Sequence, residues 1–142
     1  MDDHFRKLER LYTRAPISIA QQTSIAIAEG VATVTIPVLQ SALHAAHAAH
    51  GSIIFRSLDD AAFFAANSLV PDVFVLTSTF SVTFVRPIAS GTITAHGKVV
   101  NVSRRLIVAS SEAFDEEQRL IATGGGTFMR SQIKLGPDVG YD

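Results

Sequence analysis

The sequence predicts an α+β fold in which a curved antiparallel sheet wraps around one long central helix. Two alternating segments precede a long apolar helical segment and four more follow it. Strands grouped around a helix, rather than interleaved with several helices, indicate an antiparallel sheet. The helical segment, Ser52 to Leu69, is apolar around most of its circumference and therefore needs cover on most sides. At 142 residues with 47% hydrophobic side chains, the chain can fill one core and is too short for two of ordinary size. Residues 1–142 are accordingly read as one domain.

The elements follow in order. Phe5, Leu8, Leu11 and Tyr12 recur at helical spacing among charges, giving an N-terminal amphipathic helix within residues 1–15 that ends before Pro16. Alternation begins at Ile17 and Ile19, continues through Ile25 and Ile27, and resumes from Val31 to Ile36 after the turn signal Glu29-Gly30. This predicts a hairpin of two strands between Ile17 and Pro37. Between Arg14 and Arg56 the only formal charge is Glu29, so the stretch SALHAAHAAHG, Ser41 to Gly51, belongs in a core, an interface or a cleft lining. Ser52 to Leu69 contains no Pro or Gly and is long enough for a helix of about 27 Å.

Beyond Val70-Pro71-Asp72, Phe74, Leu76, Phe80, Val82 and Phe84 are assigned to one face of a strand, and Thr77, Thr79, Ser81 and Thr83 to the other. Arg86-Pro87 ends it. Three further strands are expected at about Gly91 to Asn101, Arg105 to Phe114 and Leu120 to Arg130, with Asp115 to Gln118 as the last turn. Gly124-Gly125-Gly126 then falls within a strand and reads as close packing or a bulge. The tail, residues 136–142, is expected to be loose.

Composition excludes several classes of function. Twelve Lys and Arg against thirteen Asp and Glu, net charge −1, leave no basic footprint for nucleic acid and no polybasic segment for anionic lipid. The absence of cysteine removes disulfides, a thiol nucleophile and thiolate-held zinc. The charged start MDDHFRKLERLY lacks a signal peptide's apolar stretch, and no segment is apolar for 18 residues, so a cytoplasmic protein without a membrane partner is expected. Only 18% of residues are charged and the mean hydropathy is +0.28. A lone chain would expose apolar surface, which favours a homo-oligomer.

Candidate chemistry concentrates on the long helix. Asp59 and Asp60 lie among Leu58, Ala61, Ala62, Phe63 and Phe64, where an unpaired carboxylate would be costly. Consecutive helical residues point about 100° apart, so one acid can face a cleft while the other reaches solvent or pairs with Arg56, four residues before Asp60. A solvated stripe holding both acids is the bland alternative, and the apolar surroundings favour function. His44, His47 and His50 recur every three residues. Helical metal pairs usually use four-residue spacing and no carboxylate completes the set, so no metal site is assigned. Gly51 precedes the helix with Ser52 as its candidate cap, and free first-turn amides can polarise a carbonyl and stabilise an oxyanion. Asp59 lies eight residues past Gly51, about 12 Å along the axis. The two can act on one carbonyl only if a two-fold axis brings one subunit's helix start to another's Asp, which requires a dimer. Arg86, Lys98, Arg104 and Arg105 could hold phosphates, although solvated strand ends account for each alone. There is no G-x-S-x-G, P-loop or G-x-G-x-x-G motif.

His50 to Asn67, HGSIIFRSLDDAAFFAAN, resembles the H-G-G-x-x-x-x-L-x-D-x-A motif of PaaI-like hotdog-fold acyl-CoA thioesterases. Phe84-Val85-Arg86-Pro87 is similar to that family's aromatic-x-x-Pro strand end, and GKVVNVSRRLIVAS, Gly97 to Ser110, to its next hairpin. The resemblance implies a hotdog fold and hydrolysis of an acyl-CoA to free acid and CoA by a homodimer or a homotetramer. It assigns carbonyl polarisation to Gly51 and the general base or nucleophile to Asp59 of the partner subunit, with Asp60 as the lesser choice because the motif's Leu is displaced by one. Ser52 replaces the second Gly. His44 occupies a position where the family commonly has Asn or Gln to hold water or the carbonyl. The resemblance also implies substrate-binding roles for His50 and for Thr77, which matches a water-assisting Ser of some members. Asn101, Ser103 and Arg104 would contact pantetheine and phosphates, with Arg86 a second phosphate partner. No cofactor is implied beyond the coenzyme A of the substrate. Two other readings stand beside hydrolysis: a non-catalytic acyl-CoA-binding hotdog module, and a hydroxyacyl dehydratase that pairs a His with an acid.

Overall fold

A computed structural model describes residues 2–142. The element order is α1 (Asp2–Arg14), α2 (Pro16–Gln21), β1 (Ser24–Ala28), β2 (Val31–Pro37), α3 (Gly51–Asn67), β3 (Val73–Phe84), β4 (Thr92–Val102), β5 (Leu106–Phe114) and β6 (Leu120–Lys134). All strand pairings are antiparallel, in the spatial order β1-β2-β4-β5-β6-β3. The sheet curls around α3, which is the hotdog fold. No helix among the described residues is long and apolar enough to cross a membrane.

Small residues on α3 let the sheet approach closely. Ala61, Ala62, Ala65 and Ala66 are fully buried with Leu58. Opposite them on β4, a Cβ at Gly97 would lie 2.2 Å from the Ala61 carbonyl oxygen, so only glycine permits this helix-to-strand contact. The close packing expected of the Gly124-Gly125-Gly126 run is present at Gly124 and Gly126. The Phe80 ring of β3 covers the space where side chains at Gly124 and Gly126 would sit. The helix stops at Asn67, two residues earlier than expected. The buried Asn67 amide donates to the carbonyls of Val70 and Val73, and its oxygen accepts the Val75 N–H. One side chain thus turns α3 into β3.

Three expectations are corrected. Ile17 and Ile19 are not in a strand but in α2, a six-residue helix with Pro16 in its first turn, so the hairpin begins only at Ser24. Both isoleucines are exposed. Second, the face assignment of β3 fails at Ser78. The register with β6 shifts between Thr77 and Thr79, a β-bulge that adds one residue to β3. The extra residue exchanges the two faces, so Thr77 lies on the same side as Val75 and Phe80, whereas Leu76 is exposed on the outer side. Third, the tail is held against α1. His4 Nδ1 and the Tyr141 hydroxyl are 2.8 Å apart, Arg10 donates to the Asp142 carbonyl, and Arg14 pairs with the Asp142 carboxylate.

The two edges of the sheet differ. At β1, Arg6 of α1 donates to the Ile27 carbonyl at 2.6 Å and Glu9 accepts the Ile27 N–H at 2.7 Å, so helix side chains satisfy the exposed backbone. The other edge, the 12-residue β3, pairs only with β6 and carries Leu76 and Phe84 exposed. Long edges without charged side chains are liabilities unless covered.

Candidate active site

Asp59 and Asp60 leave α3 in different directions, as helix geometry requires. The Asp60 carboxylate accepts from the Tyr12 hydroxyl at 2.8 Å and from Arg56 Nε at 3.0 Å. Arg56 also reaches Gln21 and Ser18, at 2.6 and 2.8 Å, and lies over the Tyr12 ring. Its guanidinium therefore ties α2 to α3 directly, while Asp60 holds it in place. Burial pushes the Asp60 carboxyl up, and Arg56 and the Tyr12 hydroxyl oppose that shift.

Among the described residues, no cation lies beside Asp59. Its single hydrogen bond comes from the Thr77 hydroxyl at 2.9 Å, a contact that the β3 bulge makes possible. Burial pushes its carboxyl up to about 6, the Thr77 bond pulls it down, and the neighbouring Asp60 charge pushes it further up. The group borders a cavity of about 330 Å³ walled by Phe63, Phe64 and Phe74. A half-buried carboxylate that titrates near neutrality is suited to taking a proton.

The start of α3 forms a second locus. His50 caps the helix, its Nδ1 accepting from the Ser52 N–H at 3.0 Å and standing 2.9 Å from the Ser52 hydroxyl. The Gly51 N–H has no acceptor among the described residues. Gly51 lies against the Phe84 ring, which a Cβ would approach to 3.3 Å. His44 Nδ1 accepts the Ala46 N–H at 3.0 Å, which fixes the neutral ring's proton on Nε2 and makes that nitrogen a donor. His44, Gly51, Phe84 and Arg86 line one cavity of about 310 Å³. No three His, Cys, Asp or Glu side chains among the described residues converge as metal ligands.

Within one chain, the sequence candidates thus form three separate groups. Asp59 and Thr77 meet at mid-helix, and Gly51, His44 and Arg86 meet at the helix start, about 12 Å away along α3. Asn101, Ser103 and Arg104 lie at or beside the β4–β5 turn, where Ser103 bonds the Leu106 backbone and the Arg104 carbonyl accepts from Arg130. That turn sits at the opposite end of β6 from Arg86, whose N–H donates to the Ile121 carbonyl. Eight residues from Ile121 to Met129 separate the ends by about 26 Å, so Arg86 and Arg104 of one chain do not share a phosphate. Ser41 to Gly51 joins the core only at Ala49, with Ala42 packed against it, while His44, Ala45, Ala46 and His47 are exposed.

Sequence reasoning missed Phe55 and Tyr12. Phe55, four residues before Asp59 and therefore on its helical face, is 38% exposed and stacks edge-on against Phe80; the spacing was the available signal. Tyr12 was read only as part of the spaced face of the N-terminal helix, and its bond to Asp60 depends on tertiary packing alone.

Comparison with known proteins places these features in context. The model of the thioesterase superfamily matches residues 47–122, more than half the chain and the span that contains Gly51, Asp59 and Thr77. The PaaI protein of Escherichia coli, from the phenylacetic acid degradation operon, superposes with a TM-score of 0.84 at 24% identity, covering 94% of this chain and 96% of that one. A thioesterase family protein of Silicibacter pomeroyi gives 0.81 at 28% identity over 89% and 96% of the two chains. A Saccharolobus solfataricus protein named as a candidate esterase is 28% identical over 80 residues, 56% of this chain. The match spans about half the length of that curated relative, 53%.

Proposed function

Because the chain belongs to the thioesterase superfamily and has the PaaI-like hotdog fold, we propose that the thioester it hydrolyses is an acyl-CoA, in sites shared between two subunits. The observation that carries this reading is Asp59, a carboxyl lifted to about 6 by burial, bonded only by Thr77, and open to an apolar cavity.

In the proposed reaction, the substrate carbonyl oxygen accepts from the Gly51 N–H of one subunit and from His44 Nε2–H. Water adds to the carbonyl carbon while Asp59 of the other subunit takes its proton. The negative charge gathers on the oxygen facing the Gly51 amide, where a free helix-start donor is worth most. Collapse of the tetrahedral species breaks the C–S bond, and the departing CoA sulfur receives the proton from Asp59. Free acid and CoA are released, and the carboxylate is regenerated.

Three features support a dimer. Asp59 and Gly51 lie too far apart on one helix to act on one carbon. The β3 edge is long, free of charged side chains and uncovered, whereas α1 side chains bond the β1 edge at Ile27. Phe84 and Val85, 55% and 53% exposed, continue the apolar surface beside the helix start. Across a two-fold axis, one subunit's Asp59 and β4–β5 turn would face the other's Gly51, His44 and Arg86, uniting candidate phosphate partners that a single chain keeps apart.

The test combines substrate turnover with subunit mixing. Wild-type protein is expected to release free thiol from at least one member of an acyl-CoA panel, and CoA binding without hydrolysis at any chain length overturns the hydrolase reading. Gly51→Pro deletes the proposed donor at a position where proline suits a helix, and His50 already has the extended backbone a following proline prefers. Asp59→Ala and Gly51→Pro proteins should each be inactive alone. Their random mixture should recover about a quarter of wild-type turnover, because half the dimers then hold one intact site of two. No recovery despite demonstrated subunit exchange would sink the shared site.

A further inference from the structure

The cavity at Asp59 does not end at its own walls. It shares Leu11, Ala15 and Phe74 with a second cavity of about 500 Å³, whose far side is formed by Ile133, Val139 and Gly140. The two spaces lie on either side of the α1–α2 junction and follow the inner end of β3 away from Thr77. From the shared walls and the apolar character of both spaces, we infer that they form one acyl channel selecting chains of more than about eight carbons, a length set by the distance below. The inference rests on the proposed hydrolysis of acyl-CoA at Asp59.

The length follows from strand geometry. Thr77, which bonds Asp59, is three residues from Phe74 along β3, about 10 Å at the rise of a strand. An extended hydrocarbon with bonds of about 1.5 Å at near-tetrahedral angles advances about 1.25 Å per carbon. About eight carbons are therefore used before a chain passes Phe74 and enters the second space, where Ile133 and Val139 await its end. Each further methylene removed from water is worth about a fourfold gain in binding.

The cations along the route are already engaged, which argues for an unsubstituted aliphatic end rather than one bearing a carboxylate. Arg56 is held by Asp60, Gln21 and Ser18, and Arg14 by Asp142 and the Gly140 carbonyl. No buried side-chain polar atom among the described residues lacks a partner. The tail contributes Asp138, Val139 and Gly140 to the channel end, and its anchoring to α1 by Tyr141 and Asp142 makes that end a fixed wall.

The experiment compares kcat/KM for butyryl-CoA and dodecanoyl-CoA, kept below micellar concentration, in wild type, Ala15→Phe and Val139→Trp. Wild type should favour dodecanoyl-CoA. Each obstruction should lower the dodecanoyl-to-butyryl ratio at least tenfold, with Val139→Trp acting from the opposite wall if Ala15→Phe disturbs the helix junction. A wild-type preference for butyryl-CoA, or a ratio unmoved in correctly folded Val139→Trp, overturns the channel. If no acyl-CoA is hydrolysed, the catalytic reading fails separately, and calorimetric binding decides the inference. Tighter binding of dodecanoyl-CoA than of butyryl-CoA, lost in Val139→Trp, upholds it, and equal binding overturns it.

Discussion

Asp59 and Asp60 are consecutive carboxylates on one helix, in the same apolar stretch, yet the structure treats them oppositely. Asp60 receives a guanidinium and a phenol and joins α1, α2 and α3. Asp59 receives one hydroxyl and faces a cavity. Burial raises both carboxyls, but only at Asp60 does a cation offset it. The rotation of 100° between neighbours separates a carboxylate that helps to hold the fold from one whose cost the fold tolerates. Uncompensated burial of that kind is more readily explained by chemistry than by stability.

The largest effect expected from this contrast is on turnover. Asp59→Asn should lower kcat by about 10³-fold, within the range of general-base removal, while the far-ultraviolet circular dichroism stays that of wild type. Stability should move the other way. With the folded carboxyl near 6 and an unfolded value near 3.8, the native state binds more protons between those limits, so wild-type stability falls as pH rises through the window. Asn has no such titration. The variant's Tm advantage over wild type should therefore be greater at pH 8 than at pH 4, as scanning calorimetry can show. An equal difference at both pH values would mean that Asp59 is not strained by burial.

Arg56 is the next lever. Removing one partner of a buried pair leaves the other charge uncompensated, so Arg56→Ala should cost about 3 kcal/mol in urea unfolding at pH 8. At pH 5 the loss should be smaller, because the abandoned Asp60 carboxyl, no longer opposed by a cation, can take a proton instead. A loss that is the same at both pH values would assign the cost to packing over Tyr12 rather than to charge.

The sequence disclosed these roles unevenly, for identifiable reasons. The central helix, its start to within a residue and the Arg56–Asp60 pair were legible because they depend on spacing along one element, although the cap is His50 and not Ser52. Ile17 and Ile19 misled because two residues of alternation cannot distinguish a strand from a six-residue helix, and neither side chain is buried enough to carry a periodic signal. Thr77 was named as a candidate but placed on the outward face. Strict period-two reasoning has no way to register the extra residue at Ser78, and that residue turns Thr77 toward Asp59. Tyr12 and the anchored tail depend on contacts between distant parts of the chain, His4 to Tyr141 among them, which periodicity does not encode.

Thr77 offers the smallest and most discriminating test. Its hydroxyl donates to Asp59 and so favours the charged form, opposing burial. Thr77→Val keeps the β-branched shape in the strand and removes only the donor. The Asp59 carboxyl should then rise above its present value near 6, and the acidic limb of the pH–kcat/KM profile should move upward with it, by under one pH unit. Above the limb, where Asp59 is ionised in both proteins, kcat should fall only a fewfold. If Thr77 instead positions the attacking water, kcat would fall sharply at every pH while the limb stayed near 6. The two outcomes separate a residue that tunes the base from one that holds its substrate, and both are read from one set of rate measurements between pH 4.5 and 9.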